Sequence, residues 1–141
     1  MRVKKSAHAV YRTQYHIVWV ARYRRKILVK GIKDYLKVVF GETNKYYPDW
    51  EYKGIGIAPD HVHLYMVIPP KYSVAYVVET IKKNTSRRMR EKFSFLQRMY
   101  REGGIWSTGY FVSTVGITEE VISKYVAQQG QEDSGQTEFE Y

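Results

Sequence analysis

The run His61-Val62-His63-Leu64-Tyr65-Met66-Val67-Ile68 decides how the rest of the chain is read. Pro59-Asp60 precedes it and Pro69-Pro70 follows, so a β-branched and apolar stretch is bounded by turn residues at both ends, which marks a strand. Side chains alternate along a strand, so Val62, Leu64, Met66 and Ile68 share one face while His61, His63 and Tyr65 share the other. The apolar face needs a core to cover it. The opposite face brings two imidazoles to one point, and by the same alternation Asp60 is expected to point away from them.

Upstream, residues 50 to 57 read as extended chain with Gly54 and Gly56, which pairs with this strand as a hairpin through Pro59-Asp60. Earlier still, Tyr15-His16-Ile17-Val18-Trp19-Val20 reads as a buried strand, and Arg22, Arg24, Arg25 and Lys26 follow it as a basic cluster. Between the two, Ile32, Tyr35, Leu36, Val39 and Phe40 recur at helical spacing over residues 32 to 46, and Pro48 closes that helix. Downstream, Ser73 stands where an N-cap belongs, and Val74, Val77, Val78, Ile81, Thr85, Met89 and Phe93 form the apolar stripe of a longer helix. Lys82, Lys83, Arg87, Arg88 and Arg90 lie off that stripe. After the Gly103-Gly104 break, residues 106 to 115 are expected to form a last strand entered through Gly109, and Gly116 leads to a final helix over about 118 to 129. Glu119 and Glu120 favour its N-terminus and Gly130 is expected to end it.

The resulting order is β-α-β-β-α-β plus a terminal helix, an α+β, ferredoxin-like arrangement with an antiparallel sheet, shared by RNA-recognition modules and several nucleases. The reading is one domain over residues 1 to 130, its first ten residues poorly ordered, followed by an acidic, mobile tail from 131 to 141.

Composition narrows the partners. The chain has 141 residues, with 23 Lys and Arg against 14 Asp and Glu, for a formal charge of +9. Glu132, Asp133, Glu138 and Glu140 all lie beyond position 129, where there is no Lys or Arg, so the first 129 residues carry +13. Fourteen tyrosines accompany that charge; stacking faces beside phosphate-binding cations suit nucleic acid. The absence of cysteine excludes disulfide scaffolds, thiol nucleophiles and Cys-based zinc sites. No apolar run approaches the roughly 20 residues needed to cross a bilayer, and the basic N-terminus lacks a signal core. A soluble, cytoplasmic protein with no membrane partner is expected.

Two constellations could carry chemistry. His61 and His63 as neutral imidazoles can hold a divalent metal and leave positions open for a substrate oxygen. Tyr125 and Gln129 lie at i and i+4 on the last helix and so share a face. A phenolate can attack a phosphodiester, and the phosphotyrosine formed conserves the bond for later rejoining. With an ordinary phenolic pKa of about 10, such an attack needs help, and the Gln129 carbonyl oxygen would suit Mg²⁺ or Mn²⁺ beside the two imidazoles. Each feature also has a plainer reading: a structural or surface histidine pair, a tyrosine packed by its ring, a solvated helix end. A three-residue motif by itself does not choose between them.

Four blocks together are more specific. The stretch 15–26, the block Pro59-Asp60-His61-Val62-His63-Leu64 with Pro69-Pro70, the segment 106–116, and Lys124-Tyr125-Val126 ahead of Gln129 stand in the order in which the chain resembles the single-tyrosine transposases of the smallest bacterial and archaeal insertion sequences. These are members of the HUH superfamily, named for histidine, hydrophobic, histidine. The resemblance runs from about residue 11 to 130. It implies a metal-dependent endonuclease and strand transferase of single-stranded DNA, with His61 and His63 as ligands of Mg²⁺ or Mn²⁺, Tyr125 as nucleophile and Gln129 completing the coordination. It further implies a 5′-phosphotyrosine intermediate, recognition of hairpins at element ends, and a homodimer whose active sites are shared. Arg22, Arg24, Arg25, Lys26, Lys82, Lys83, Arg87 and Arg88 are then candidates for phosphate contact, and Gly103, Gly104 and Gly116 for hinges that let the tyrosine helix move. The competing readings are a domesticated nickase of hairpin DNA with the same three residues, and a non-catalytic RNA- or single-strand-binding module on the same sheet.

Overall fold

The computed structural model describes residues 3–6 and 9–135. In chain order the elements are β1 (Lys4–Lys5), β2 (Val10–Tyr11), β3 (Gln14–Val20), a short 3-10 turn (Arg22–Arg24), α1 (Lys30–Tyr46), β4 (Glu51–Ala58), β5 (His61–Val67), α2 (Val74–Lys92), α3 (Ser94–Met99), β6 (Phe111–Ser113) and α4 (Glu119–Asp133). The main sheet has the order β4-β5-β3-β6 with every neighbour antiparallel. From β3 onward this is the β-α-β-β-α-β ferredoxin-like topology read from the sequence, with α4 added.

Register sets the two faces. Ile17 pairs with Leu64 and Trp19 with Val62, and these side chains, with Ala21 and Met66, bury against Leu36 and Phe40 of α1 and Val77, Val78, Ile81 and Met89 of α2. On the other face Val18 and Val20 lie under Ile122, Tyr125 and Val126 of α4. Strand β3 is therefore covered on both sides, which is why Ile17-Val18-Trp19-Val20 is continuously apolar. Strand β5 alternates instead, because the face away from α1 and α2 carries His61, His63 and Tyr65. Trp50 and Trp106 both fill the core.

Local expectations are met where local chemistry decides. Ser73 caps α2, its hydroxyl accepting from the Tyr76 amide at 3.0 Å, and Thr118 caps α4 by accepting from the Val121 amide at 3.2 Å. Three differ. Lys4–Lys5 pairs with Val10–Tyr11, pairing that the composition of this stretch did not suggest, while residues 1, 2, 7 and 8 lie outside the described part. The last strand is shorter than expected: Trp106 turns into the core and makes only an isolated bridge with Ala21, Gly109 adopts φ +88°, and pairing with β3 begins at Phe111. Finally, α4 runs through Gly130 to Asp133. The Asp133 carboxylate accepts from the Tyr23 amide at 2.9 Å and from the Ser107 hydroxyl, so tertiary contacts carry the helix past its glycine. The first residues of the acidic tail are thus helical, and residues 136–141 lie outside the described part.

The Tyr52 phenol reports on this packing. Burial pushes its pKa up to about 12, against a hydrogen bond with Thr43 that pulls it down. A phenol that keeps its proton when folded contributes stability in full below the unfolded value near 10, and that contribution is lost as pH rises through the folded value. Unfolding free energy should therefore fall between pH 10 and 12 by about 2–3 kcal/mol. Urea titrations across that range should show the fall in the wild type and a flatter profile in Tyr52→Phe.

Candidate metal and tyrosine site

Strand β5 starts at His61, so Asp60 belongs to the two-residue turn and strand alternation does not govern it. Rather than pointing away, its Oδ1 accepts from His61 Nδ1 at 2.8 Å, while Oδ2 accepts from Arg24 Nε at 3.1 Å. Burial raises the Asp60 pKa, but the hydrogen bonds from His61 and Arg24 outweigh it and hold the carboxyl below its usual range. An ionised acceptor at Nδ1 keeps the proton there and leaves His61 Nε2 with its lone pair.

His63 has a different neighbour. Its Nε2 lies 3.3 Å from Nδ1 of His16, which stands on β3 opposite Tyr65. The His16 ring stacks on Tyr65 with centroids 4.4 Å apart and planes 6° from parallel, and the Tyr65 hydroxyl donates to Gln14 Oε1. Burial pushes the His63 pKa down, as do His16 and His61, with Glu119 of α4 opposing. A depressed value keeps His63 neutral near pH 7, the form that binds a metal. His16 was missed from sequence and Asp60 was expected to point away; only strand pairing and the turn bring them to the pair.

Tyr125 and Gln129 meet as the helical spacing requires. The Tyr125 ring packs on Val18 and Val20 and lies 5.8 Å from the Phe111 ring. Its hydroxyl donates to Gln129 Oε1 at 3.3 Å, and Gln129 Nε2 donates to Asp133 at 3.3 Å and Glu132 at 3.4 Å. Both residues are buried, 5% and 4% exposed. The structure thus pairs His61 with His63, and Tyr125 with Gln129, on the same side of the sheet. Among the described residues no three His, Cys, Asp or Glu side chains gather to hold a metal.

The eight cations scatter in environment. Lys26, Lys83 and Arg87 are exposed. Arg22 donates to Glu102 O at 2.7 Å and Arg25 to Met99 O at 3.2 Å, and Arg88 pairs with Glu42. Lys82 is 7% exposed and donates to both Ser107 O and Gly109 O at 2.8 Å. Burial lowers its pKa, with Glu79 and Asp133 opposing. Lys82, read from the sequence as a candidate for phosphate contact, here has its ammonium engaged by the loop ahead of β6. Lys82 and Lys83 should behave differently when replaced by Ala. The Lys83 variant should keep its melting temperature and reduce by about 1 the slope of log affinity against log salt for an oligonucleotide. Loss of Lys82 should instead cost about 1–3 kcal/mol of stability, since two carbonyls lose their donor.

The ferredoxin-like sheet, with His61 and His63 on the face that α4 and Tyr125 cover in part, is the arrangement expected from the resemblance to DNA transposases. The family described as "Transposase IS200 like" matches residues 9–129, and the chain belongs to it. The chain is 33% identical over 133 residues to the transposase of insertion sequence element IS200 from Salmonella typhimurium, covering 92% of this chain and 85% of that one. It is 29% identical over 134 residues to the ISDra2 transposase TnpA of Deinococcus radiodurans, covering 92% of each. Among solved structures, a proposed transposase from Deinococcus radiodurans R1 superposes with a TM-score of 0.72 at 27% identity, covering 96% of this chain and 99% of that one. The REP-associated tyrosine transposase bound to a REP hairpin shares the fold, with a TM-score of 0.53 at 14% identity over 95% of this chain and 76% of that one. No helix among the described residues is long and apolar enough to cross a membrane.

Proposed function

We propose that this transposase is a metal-dependent endonuclease and strand transferase of single-stranded DNA, with His61 and His63 holding Mg²⁺ or Mn²⁺ and Tyr125 as nucleophile. The observation that carries the reading is that His61 and His63 share the sheet face on which the helix bearing Tyr125 docks. The donor set fits a catalytic cation: Asp60 commits His61 Nε2 outward, burial keeps His63 neutral, and two protein ligands leave positions for substrate oxygens. When bound, the metal would neutralise charge on the scissile phosphate. Tyr125 Oη forms a bond to phosphorus as the bond to the 3′ oxygen breaks, leaving a 5′-phosphotyrosine and a free 3′ hydroxyl; in net, the phenolic proton ends on that hydroxyl. The same hydroxyl can later attack a phosphotyrosine and rejoin strands.

Gln129 is the remaining candidate ligand. Its carbonyl accepts from Tyr125 and its amide donates to Glu132 and Asp133, and a shift of the helix about Gly116, in the segment ahead of α4, would free that carbonyl for the cation. A homodimer would have an edge to use: β6 ends the sheet, with Val112 on it 40% exposed and Val115 just beyond it 70% exposed. The basic surface before the acidic C-terminal residues suits hairpin ends of a DNA element, and a cytoplasmic location follows from that substrate.

Labelled single-stranded DNA carrying an end hairpin, incubated with Mn²⁺, should give a covalent adduct that peptide mapping places on Tyr125. Chelator should abolish it. An adduct formed equally in chelator, or mapped to another residue, defeats the mechanism. Stable binding of the same DNA with no adduct under any metal would favour the non-catalytic binding module.

A further inference from the structure

Arg24 sits in a strained turn. Tyr23 and Arg24 have φ of 62° and 55°, two successive non-glycine residues in the left-handed region, a conformation that persists only where its surroundings impose it. Three contacts do so here: the Arg24 amide donates to Ala21 O at 2.8 Å, the Tyr23 amide to Asp133 Oδ2 at 2.9 Å, and Arg24 Nε to Asp60 Oδ2 at 3.1 Å. The other Asp60 oxygen holds His61. On its far side the Arg24 stem lies against α4, where a Cβ on Gly130 would stand 3.1 Å from Arg24 Cβ and 3.2 Å from Cδ. A glycine inside a helix weakens it, and this close approach explains why one is there.

We propose that Arg24 is a positioning residue. Through Asp60 it holds the proton on His61 Nδ1 and aims Nε2 at the divalent cation, and its seat beneath Gly130 makes that aim depend on where the tyrosine helix lies. The proposal rests on His61 being a metal ligand. It assigns Arg24 to the active site rather than to phosphate contact, and it links the two halves of that site, imidazole and tyrosine helix, through one guanidinium. Outer partners of metal-binding histidines fix ring orientation and tautomer, and their loss typically weakens metal binding by about 10–100-fold.

The test uses the full chain. Long-range ¹H–¹⁵N spectra of the metal-free protein report the tautomer of His61, and Mn²⁺ titration calorimetry reports affinity. Wild type should show the Nδ1–H form. Arg24→Gln should mix the tautomers and weaken Mn²⁺ by about tenfold or more, and Arg24→Lys should restore part of both. Gly130→Ala should also mix the tautomers and weaken Mn²⁺, because the added Cβ crowds the Arg24 stem, while the melting temperature changes little as the helix preference of alanine offsets that crowding; a merely structural role would not separate these readouts. Unchanged tautomer and Mn²⁺ affinity in Arg24→Gln overturn the proposal. If His61→Ala leaves Mn²⁺ affinity intact, the metal reading itself is overturned, a failure distinguishable because the tautomer spectra do not depend on it.

Discussion

Tyr125→Phe should abolish the covalent DNA adduct while leaving the fold almost untouched. The ring is buried among Val18, Val20, Ile122 and Val126, and phenylalanine keeps that packing. Only the hydroxyl is lost, with the 3.3 Å hydrogen bond it donates to Gln129. A buried hydrogen bond of this kind is worth about 1 kcal/mol net, so the urea midpoint should shift slightly at unchanged slope. Adduct formation should fall by at least about a thousandfold, as expected when the attacking atom is gone. Oligonucleotide affinity should stay within about twofold, because binding rests on phosphate contacts elsewhere. A variant that still forms the adduct would remove Tyr125 from the mechanism. One that unfolds would show the hydroxyl to be structural. Gel analysis of the adduct and equilibrium unfolding on the same preparation separate the two.

The largest effect on stability is expected at Trp19. It is fully buried, with its ring edge-on to Phe40 at 6.2 Å and Trp106 at 5.9 Å between centroids. It therefore ties β3 to α1 and to the loop ahead of β6. Truncating a buried Trp to Ala costs about 3–5 kcal/mol through lost transfer energy and the cavity left behind. Against a total of about 5–15 kcal/mol, Trp19→Ala should lower the melting temperature by roughly 10–20 °C. Trp19→Phe should be much milder, within about 1.5 kcal/mol. The reason is that Trp19 Nε1 is buried without a hydrogen-bond partner among the described residues; phenylalanine removes that orphan donor as it opens part of a cavity, and the two effects oppose. Equal destabilisation by Ala and Phe would contradict this account.

The same residues show how far sequence reaches. Strands β3 and β5, helices α1 and α2 and the cap at Ser73 were legible because each depends on local periodicity or on one side chain bonding a nearby amide. The pairing of His61 with His63 was legible for the same reason, since alternation along a strand is a property of the backbone. Tyr125 and Gln129 at i and i+4 likewise meet by helical geometry. Lys82 shows the limit: helical spacing put it on the basic face, but only the packing of residues 107–109 against α2 decided that its ammonium faces inward. Gly130 was read as a stop because glycine commonly follows a helix; here the close approach of Arg24 explains the glycine, and the contacts of Asp133 carry the helix beyond it.

What the sequence by itself determined, then, is the β-α-β-β-α-β order, the two-faced β5 and the side chains that could carry chemistry, because these follow from periods of two and 3.6 residues and from capping within a few positions. Only the tertiary structure decided that Asp60 turns back onto His61, that His16 arrives beside His63 from the neighbouring strand, and that Arg24 links His61 to the helix bearing Tyr125. Those contacts join residues 36 to 110 positions apart, or lie in a turn where alternation lapses. No local pattern encodes them, since their geometry exists only once the sheet has its register and α4 has docked on it.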